Sequence, residues 1–95
     1  MAVSIRVRGR LRSLSAGNSS VAVEADSVGA AIDALDEKYP GFKARICDDQ
    51  GRLRQFVNIY LNDEDVRFRS GLETAVGTND TLSIIPAVAG GAGGR

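Results

Sequence analysis

The chain ends in two pairs of glycines, Gly90-Gly91 and Gly93-Gly94, followed by Arg95. The group they present is a backbone carboxylate. Attack at a C-terminal carboxyl carbon is slowed by any Cβ beside it. Glycine has none, and it also adopts backbone angles closed to other residues. A narrow tunnel in a partner therefore admits Gly-Gly and excludes ordinary termini. The chemistry this permits is activation of the carboxylate as an acyl-adenylate by a partner that binds ATP. Sulfur then displaces AMP and leaves a thiocarboxylate. A glycine-rich end is more often a linker or a loose terminus. Here, however, the glycines follow directly on Thr81–Ile85, which reads as a last strand, stopped by Pro86. The six residues Pro86-Ala-Val-Ala-Gly-Gly91, fully extended, reach about 20 Å, enough to enter another protein's active site.

Other chemistries find little support. Cys47 is the only cysteine, so an internal disulfide is excluded. As a sulfur relay it lacks a histidine or a nearby lysine to lower its pKa, and the reading preferred is a small core residue. The chain has no histidine, which removes His-based triads and His zinc sites, and no metal site is expected. The acidic clusters Asp48-Asp49 and Asp63-Glu64-Asp65 read as turn residues rather than cation ligands.

The tail must be carried by a small fold. Alternation over residues 3–12 reads as a strand, with Val3, Ile5, Val7 and Leu11 on one face and Arg6, Arg8, Arg10 and Arg12 on the other. Turn formers fill 13–20, and Val21–Glu24 reads as a second strand, giving a hairpin. Asp26 and Ser27 are N-cap residues. After them Val28, Ala31, Ile32, Leu35 and Tyr39 have helical spacing, ended by Pro40-Gly41. Ala30 stands where a capping box would want Glu. Phe42 and Ile46 anchor a short helical turn, and 48–51 is a turn. Phe56–Leu61 reads as a strand with Val57, Ile59 and Leu61 on one face. A tight connection at 62–65 leads into Val66-Arg67-Phe68 as a second hairpin. Leu72, Ala75 and Val76 suit one helical turn, and Asn79-Asp80 turns into the last strand. This order predicts an α+β roll: a mixed sheet of about five strands, one main helix packed across it, and the last strand central beside the first. That is the β-grasp (ubiquitin-like) arrangement. The expected division is a domain at 1–86 and a flexible tail at 87–95.

Composition bounds the rest. The 95 residues fit one domain. With 43% apolar and only 5% aromatic residues, the core must rest on aliphatics. Twelve cations balance twelve acids, so no global basic field draws in nucleic acid. The early arginines read as the solvent face of one strand. No apolar run approaches the roughly 20 residues needed to cross a bilayer. The N-terminus has no signal-peptide layout, and the expected location is the cytoplasm.

The segment Phe56-Val-Asn-Ile-Tyr-Leu-Asn-Asp-Glu-Asp-Val-Arg67, followed by Asp80-Thr-Leu-Ser-Ile-Ile-Pro-Ala-Val-Ala-Gly-Gly91, resembles the MoaD/ThiS family of β-grasp sulfur carriers, and within it the branch that serves actinobacterial cysteine biosynthesis. The helix ending in Tyr39-Pro40-Gly41 is similar too, so the resemblance spans about residues 3–91. It implies a carrier that is not itself an enzyme and binds no cofactor. A ubiquitin-activating-like adenylyltransferase uses ATP and Mg²⁺ to adenylate the terminal glycine. A sulfur donor then makes the thiocarboxylate, and a sulfur-accepting synthase consumes it. That partner is a cysteine synthase in the cysteine branch, and thiamine or molybdopterin assembly elsewhere. Carriers of this type end at the glycine matching Gly91, whereas here Ala92-Gly93-Gly94-Arg95 follow. The resemblance implies trimming by a JAB1/MPN-type metalloprotease after Gly91, the alternative being loss of Arg95 alone with Gly94 reactive. The rival function is a ubiquitin-like modifier joined to lysines of other proteins. A third reading is an interaction module with an inert tail. Phe56, Tyr60 and Ile85, flanked by Arg54 and Arg67, read as an exposed patch where a partner docks, with Val88 and Ala89 entering that partner beside Gly90-Gly91.

Overall fold

The structure is a computed structural model that describes residues 2–55 and 57–86. Its strands are β1 (Ala2–Val7), β2 (Ser20–Glu24), β3 (Val57–Leu61), β4 (Glu64–Asp65) and β5 (Thr81–Pro86), and its helices are α1 (Val28–Lys38) and α2 (Phe42–Ile46). The sheet order is β2-β1-β5-β3-β4. β1 and β5 run parallel, pairing Ser4 with Thr81 through Val7 with Ile84. The neighbouring pairs are antiparallel. This is the expected mixed sheet with the last strand central beside the first.

Alternation decides which face is covered. Val3, Ile5 and Val7 of β1, Val57, Ile59 and Leu61 of β3, and Leu82 and Ile84 of β5 are buried. Across that face lies α1, with Val28, Ala31, Ile32 and Leu35 inward. Phe42 and Ile46 of α2 close the same core at 0% exposure. Ser27 caps α1, its Oγ accepting the Ala30 N–H at 3.1 Å. The helix stops at Tyr39, and Gly41 takes φ +113°, which the following Cα–Cβ geometry of other residues resists. The Asp36 carboxylate spans the junction and accepts N–H bonds from Gly41 and Lys43, each at 3.0 Å. Those bonds, Lys43's first and then Gly41's, hold its carboxyl below the usual carboxylate range.

Two expected strands are corrected. The first strand ends at Val7 rather than at residue 12, and residues Gly9–Ser15 form a 3-10 helix. The bend is at Gly9, whose φ of +64° is left-handed. A Cβ at Gly9 would sit 3.2 Å from Cγ of Pro86. Leu11 stays buried, though from the helix. The loop returns through a Ser15 hydroxyl that donates to the Asn18 carbonyl at 2.7 Å, and through Gly17, whose N–H donates to the Arg12 carbonyl at 2.8 Å. The second correction is at 66–68. The hairpin turn is Asn62-Asp63, with Asn62 at φ +58°, and its returning strand is only Glu64–Asp65. Asp65 then accepts the Arg67 N–H at 2.8 Å, starting a 3-10 turn over Val66–Phe68. That turn drops Val66 into the core and leaves Phe68 85% exposed. Leu72 lies in a further 3-10 turn, Gly71–Glu73. Ala75 instead bridges to Ser27 and is exposed.

Candidate functional site: the end of the central strand

β5 is the most enclosed strand of the sheet, held by β1 on one side and β3 on the other. Pro86, its last residue, pairs with Val57 and abuts Gly9. Proline has no N–H to donate to a ladder, so it suits the position where the strand hands over to the tail. The reactive and tail residues read from sequence, Gly90, Gly91, Gly93, Gly94, Val88 and Ala89, lie outside the described residues, as do the 87–95 tail segment and Phe56.

The remaining patch residues are placed as follows. Tyr60 and Ile85 are half-buried and sit on the face of the sheet opposite α1. Register pairs Tyr60 with Ser83 and Asn58 with Ile85, which makes Tyr60 and Ile85 diagonal neighbours. Arg54 and Arg67 turn much of their bonding inward. The Arg67 guanidinium donates to Asn58 Oδ1 (2.8 Å), the Arg54 carbonyl (2.6 Å) and the Val57 carbonyl (2.7 Å). It therefore fastens the start of β3 to the turn after β4. Arg54 Nε donates to the Ala44 carbonyl at 3.1 Å, tying the same segment to α2. In sequence both arginines look like free surface charge. The carbonyls they serve are set by the three-dimensional path of the chain.

Cys47 is 4% exposed, in the core. Burial pushes its thiol pKa up. Contrary to the sequence reading, a lysine is near. Lys43 lies one helical turn earlier, and its charge acts to lower the thiol pKa but is outweighed by burial. Asp48 is a turn residue, accepting N–H bonds from Gln50 (2.9 Å) and Arg52 (3.0 Å). No group of three His, Cys, Asp or Glu side chains among the described residues is arranged to hold a metal ion. No described helix is long and apolar enough to cross a membrane. A cleft of about 540 Å³ runs between β2 and α1 and is lined by residues such as Ala2, Ala22, Glu24 and Lys38. It lies at the end of the sheet away from Pro86, and its lining has no serine, threonine or cysteine.

One arrangement escaped the sequence reading. Because the chain bends at Gly9, Arg6, Arg8 and Arg12 do not form a stripe. They line one cleft of about 260 Å³ with Gly9 and Ser19, beside Pro86. The available signal was Gly9 itself, a glycine inside an alternating run.

The family model described as the ThiS family matches residues 5–91. The chain belongs to the ThiS family. The match takes in β1 from Ile5 through Gly91 and leaves only 92–95 beyond it at the C-terminal side. The chain is 45% identical over 93 residues to the sulfur carrier protein CysO of Mycobacterium tuberculosis, covering 96% of this chain and all of that one. Its fold matches CysO in a crystal structure of the Amycolatopsis orientalis BexX/CysO complex with a TM-score of 0.87 and 41% identity, over 92% of this chain and 97% of that one. It is also 34% identical over 79 residues to small archaeal modifier protein 1 of Haloferax volcanii, covering 80% of this chain and 86% of that one. As in these ThiS relatives, the mixed five-stranded sheet with one main helix is the β-grasp, ubiquitin-like arrangement.

Proposed function

We propose that the protein is a sulfur carrier that works through the carboxyl group of Gly91, and that catalysis belongs to its partners. The observation carrying this reading is the coincidence of two endpoints. The central strand closes at Pro86, and five residues later, at Gly91, the family match stops. The chemistry follows from the terminus. The Gly91 carboxylate attacks the α-phosphorus of ATP, held with Mg²⁺ by a ubiquitin-activating-like adenylyltransferase, and pyrophosphate leaves. A sulfur nucleophile attacks the acyl carbon, and AMP leaves with the bonding pair. The thiocarboxylate then delivers sulfur to a synthase. The likeness to the sulfur carrier protein CysO supports a cysteine synthase as that partner, and CysO of Amycolatopsis orientalis is found in a complex with BexX. The domain is residues 1–86 and the working tail is 87–91, in the cytoplasm. Residues 92–95 are removed first, by a JAB1/MPN-type metalloprotease, since a side chain-bearing Arg95 terminus does not present Gly-Gly.

The test uses four chains, ending at Gly90, Gly91, Gly94 and Arg95. Each is incubated with ATP, Mg²⁺, a sulfide source and the cognate adenylating enzyme, and intact mass is read. Only the chain ending at Gly91 should exchange one oxygen for sulfur. Sulfur on the full-length chain, or an equally active chain ending at Gly94, overturns the assignment.

A second reading has its own support in the likeness to small archaeal modifier protein 1. The same activated carboxyl group, intercepted by a lysine amine in place of sulfur, gives an isopeptide bond. Gly-Gly remnants on lysines of other proteins in digests of the native host distinguish this outcome.

A further inference from the structure

We propose that the cleft lined by Arg6, Arg8 and Arg12 is a docking site for an acidic segment of the protein that takes the tail, and that it sets the tail's direction of entry. This rests on the reading that a partner activates the C-terminal carboxyl group.

The geometry comes from one bend. Arg6 is on the outer face of β1, and Arg8 continues the same extended path with φ −124° and ψ 159°. Side chains two apart on a strand share a face and stand about 7 Å apart. Gly9 then turns the chain, and the 3-10 helix carries Arg12 back over the same place. The wall opposite is Ser19, fixed by its carbonyl accepting the Val7 N–H at 2.9 Å. The six lining residues, Arg6, Val7, Arg8, Gly9, Arg12 and Ser19, include no acid.

The charges there are uncommitted. Lys43, Arg52 and Arg69 each face a carboxylate, at 2.9, 3.5 and 2.6 Å. Arg67 and Arg54 serve backbone carbonyls. The side chains of Arg6 and Arg8 form no hydrogen bond or ion pair among the described residues. Arg12 makes a hydrogen bond of 3.3 Å to the Gly17 carbonyl of its own loop. Three like charges gathered in one place repel one another and are retained at a cost unless something negative meets them. In a chain of zero net charge, this is a local field, placed against Pro86, the last described residue before the tail. Exposed arginines spread along an open cleft suit several carboxylates of an extended or loop segment. The lining has no aromatic ring on which a base could stack, which disfavours single-stranded nucleic acid.

Two experiments decide it. In the first, the Nε–Hε signals of the arginines and the Ser19 amide are followed by NMR as hexaglutamate, inorganic phosphate or a ten-nucleotide oligo-dT is added to the chain. Hexaglutamate should move the Arg6, Arg8 and Arg12 signals, and the effect should vanish in the Arg6→Glu/Arg8→Glu/Arg12→Glu variant. It should persist in Arg45→Glu, a control on exposed α2 surface. In the second, ATP–pyrophosphate exchange is measured with the chain ending at Gly91 and the cognate adenylating enzyme. Arg8→Glu should raise the KM for the carrier about tenfold, with kcat within about twofold, and the gap should shrink as salt screens the contact. Arg45→Glu, with the same net charge, should not. Tighter binding of oligo-dT, an equal response to phosphate at matched charge, absence of shifts, or an unchanged KM for Arg8→Glu each overturns the proposal. If the wild-type chain is not adenylated at all, the sulfur-carrier reading fails, and the hexaglutamate titration still decides whether the cleft binds acidic segments.

Discussion

Gly9→Ala tests how the fold joins its first strand to the end of its last. Two costs are separable there. Gly9 has φ +64°, and an L-residue in that left-handed region costs about 1–2 kcal/mol. The new Cβ would also meet Pro86 Cγ at 3.2 Å, a tight contact whose relief adds up to about 1 kcal/mol, the low end of overpacking. Gly17→Ala provides the reference. Gly17 is also left-handed, at φ +84°, and nothing lies within 4 Å of its Cβ position, so it bears the backbone cost alone. Its N–H bond to Arg12 keeps that loop ordered, so the cost is not evaded by local relaxation. Urea unfolding should therefore show Gly17→Ala less stable by about 1–2 kcal/mol and Gly9→Ala by about 2–3 kcal/mol. In a domain of this size each kcal/mol is worth about 4–8 °C in Tm. Adding Pro86→Ala to each should cancel the extra cost in Gly9→Ala only, a coupling of about 1 kcal/mol between contacting residues. Gly9→Ala no worse than Gly17→Ala, or a coupling within about 0.3 kcal/mol of zero, would refute the claim that Gly9 leaves room for the Pro86 ring as well as making the bend.

Three further outcomes are expected. Ser27→Ala removes the α1 cap, in which Ser27 Oγ accepts the Ala30 N–H, and should cost about 1 kcal/mol in urea unfolding; Ser27→Asp should restore most of it. Asp36→Asn should flatten the acid limb of the stability profile. The Asp36 carboxyl is held below its ordinary 3.8 by the Lys43 and Gly41 N–H groups, so its stabilisation is present above that value and lost as pH falls through the lower folded value; urea midpoints from pH 6 to pH 2 that run parallel in both proteins would contradict this. Arg67→Ala leaves the Arg54 and Val57 carbonyls without the guanidinium and should cost about 1–2 kcal/mol. Arg67→Lys should recover only part, because one ammonium cannot span the three acceptors.

What was legible in the sequence followed from periodicity. Alternation at Val57, Ile59 and Leu61 and at Val3, Ile5 and Val7 named the buried face, and the spacing of Val28, Ala31, Ile32 and Leu35 named the helix and its inward side. Periodicity failed where a backbone angle decided the path. The run to Leu11 alternates beyond the strand because Leu11 is buried in either conformation, and only Gly9's left-handed angle ends β1. Val66 misled in the same way. It is apolar because it enters the core, but it enters from a turn that Asp65 starts by capping the Arg67 N–H. Long-range polar partners were hidden altogether. Nothing in the local pattern assigns Arg67 to the Arg54 and Val57 carbonyls, so the charge read as open for docking is largely bound by its own chain.

The same bend that shortened β1 also bears on how the proposed carboxyl-terminal handle is carried. A strand can present a tail rigidly only if its last residue is fixed in the sheet, and Pro86 is held by Val57 on one flank and by the Gly9 turn on the other. Had β1 continued to residue 12, parallel pairing would have continued alongside the tail and invited residues 87–91 to extend the ladder beside β1. Turning the chain at Gly9 removes that partner strand at the place where proline removes a donor. Among the described residues, the parallel pairing of β1 with β5 accordingly runs only from Ser4 with Thr81 to Val7 with Ile84. Restoring the strand tests this directly. Replacing Gly9 with valine, which favours extended backbone, should lower adenylation of the chain ending at Gly91 more than it lowers stability relative to Gly9→Ala, and equal losses in both assays would show that the bend serves folding alone.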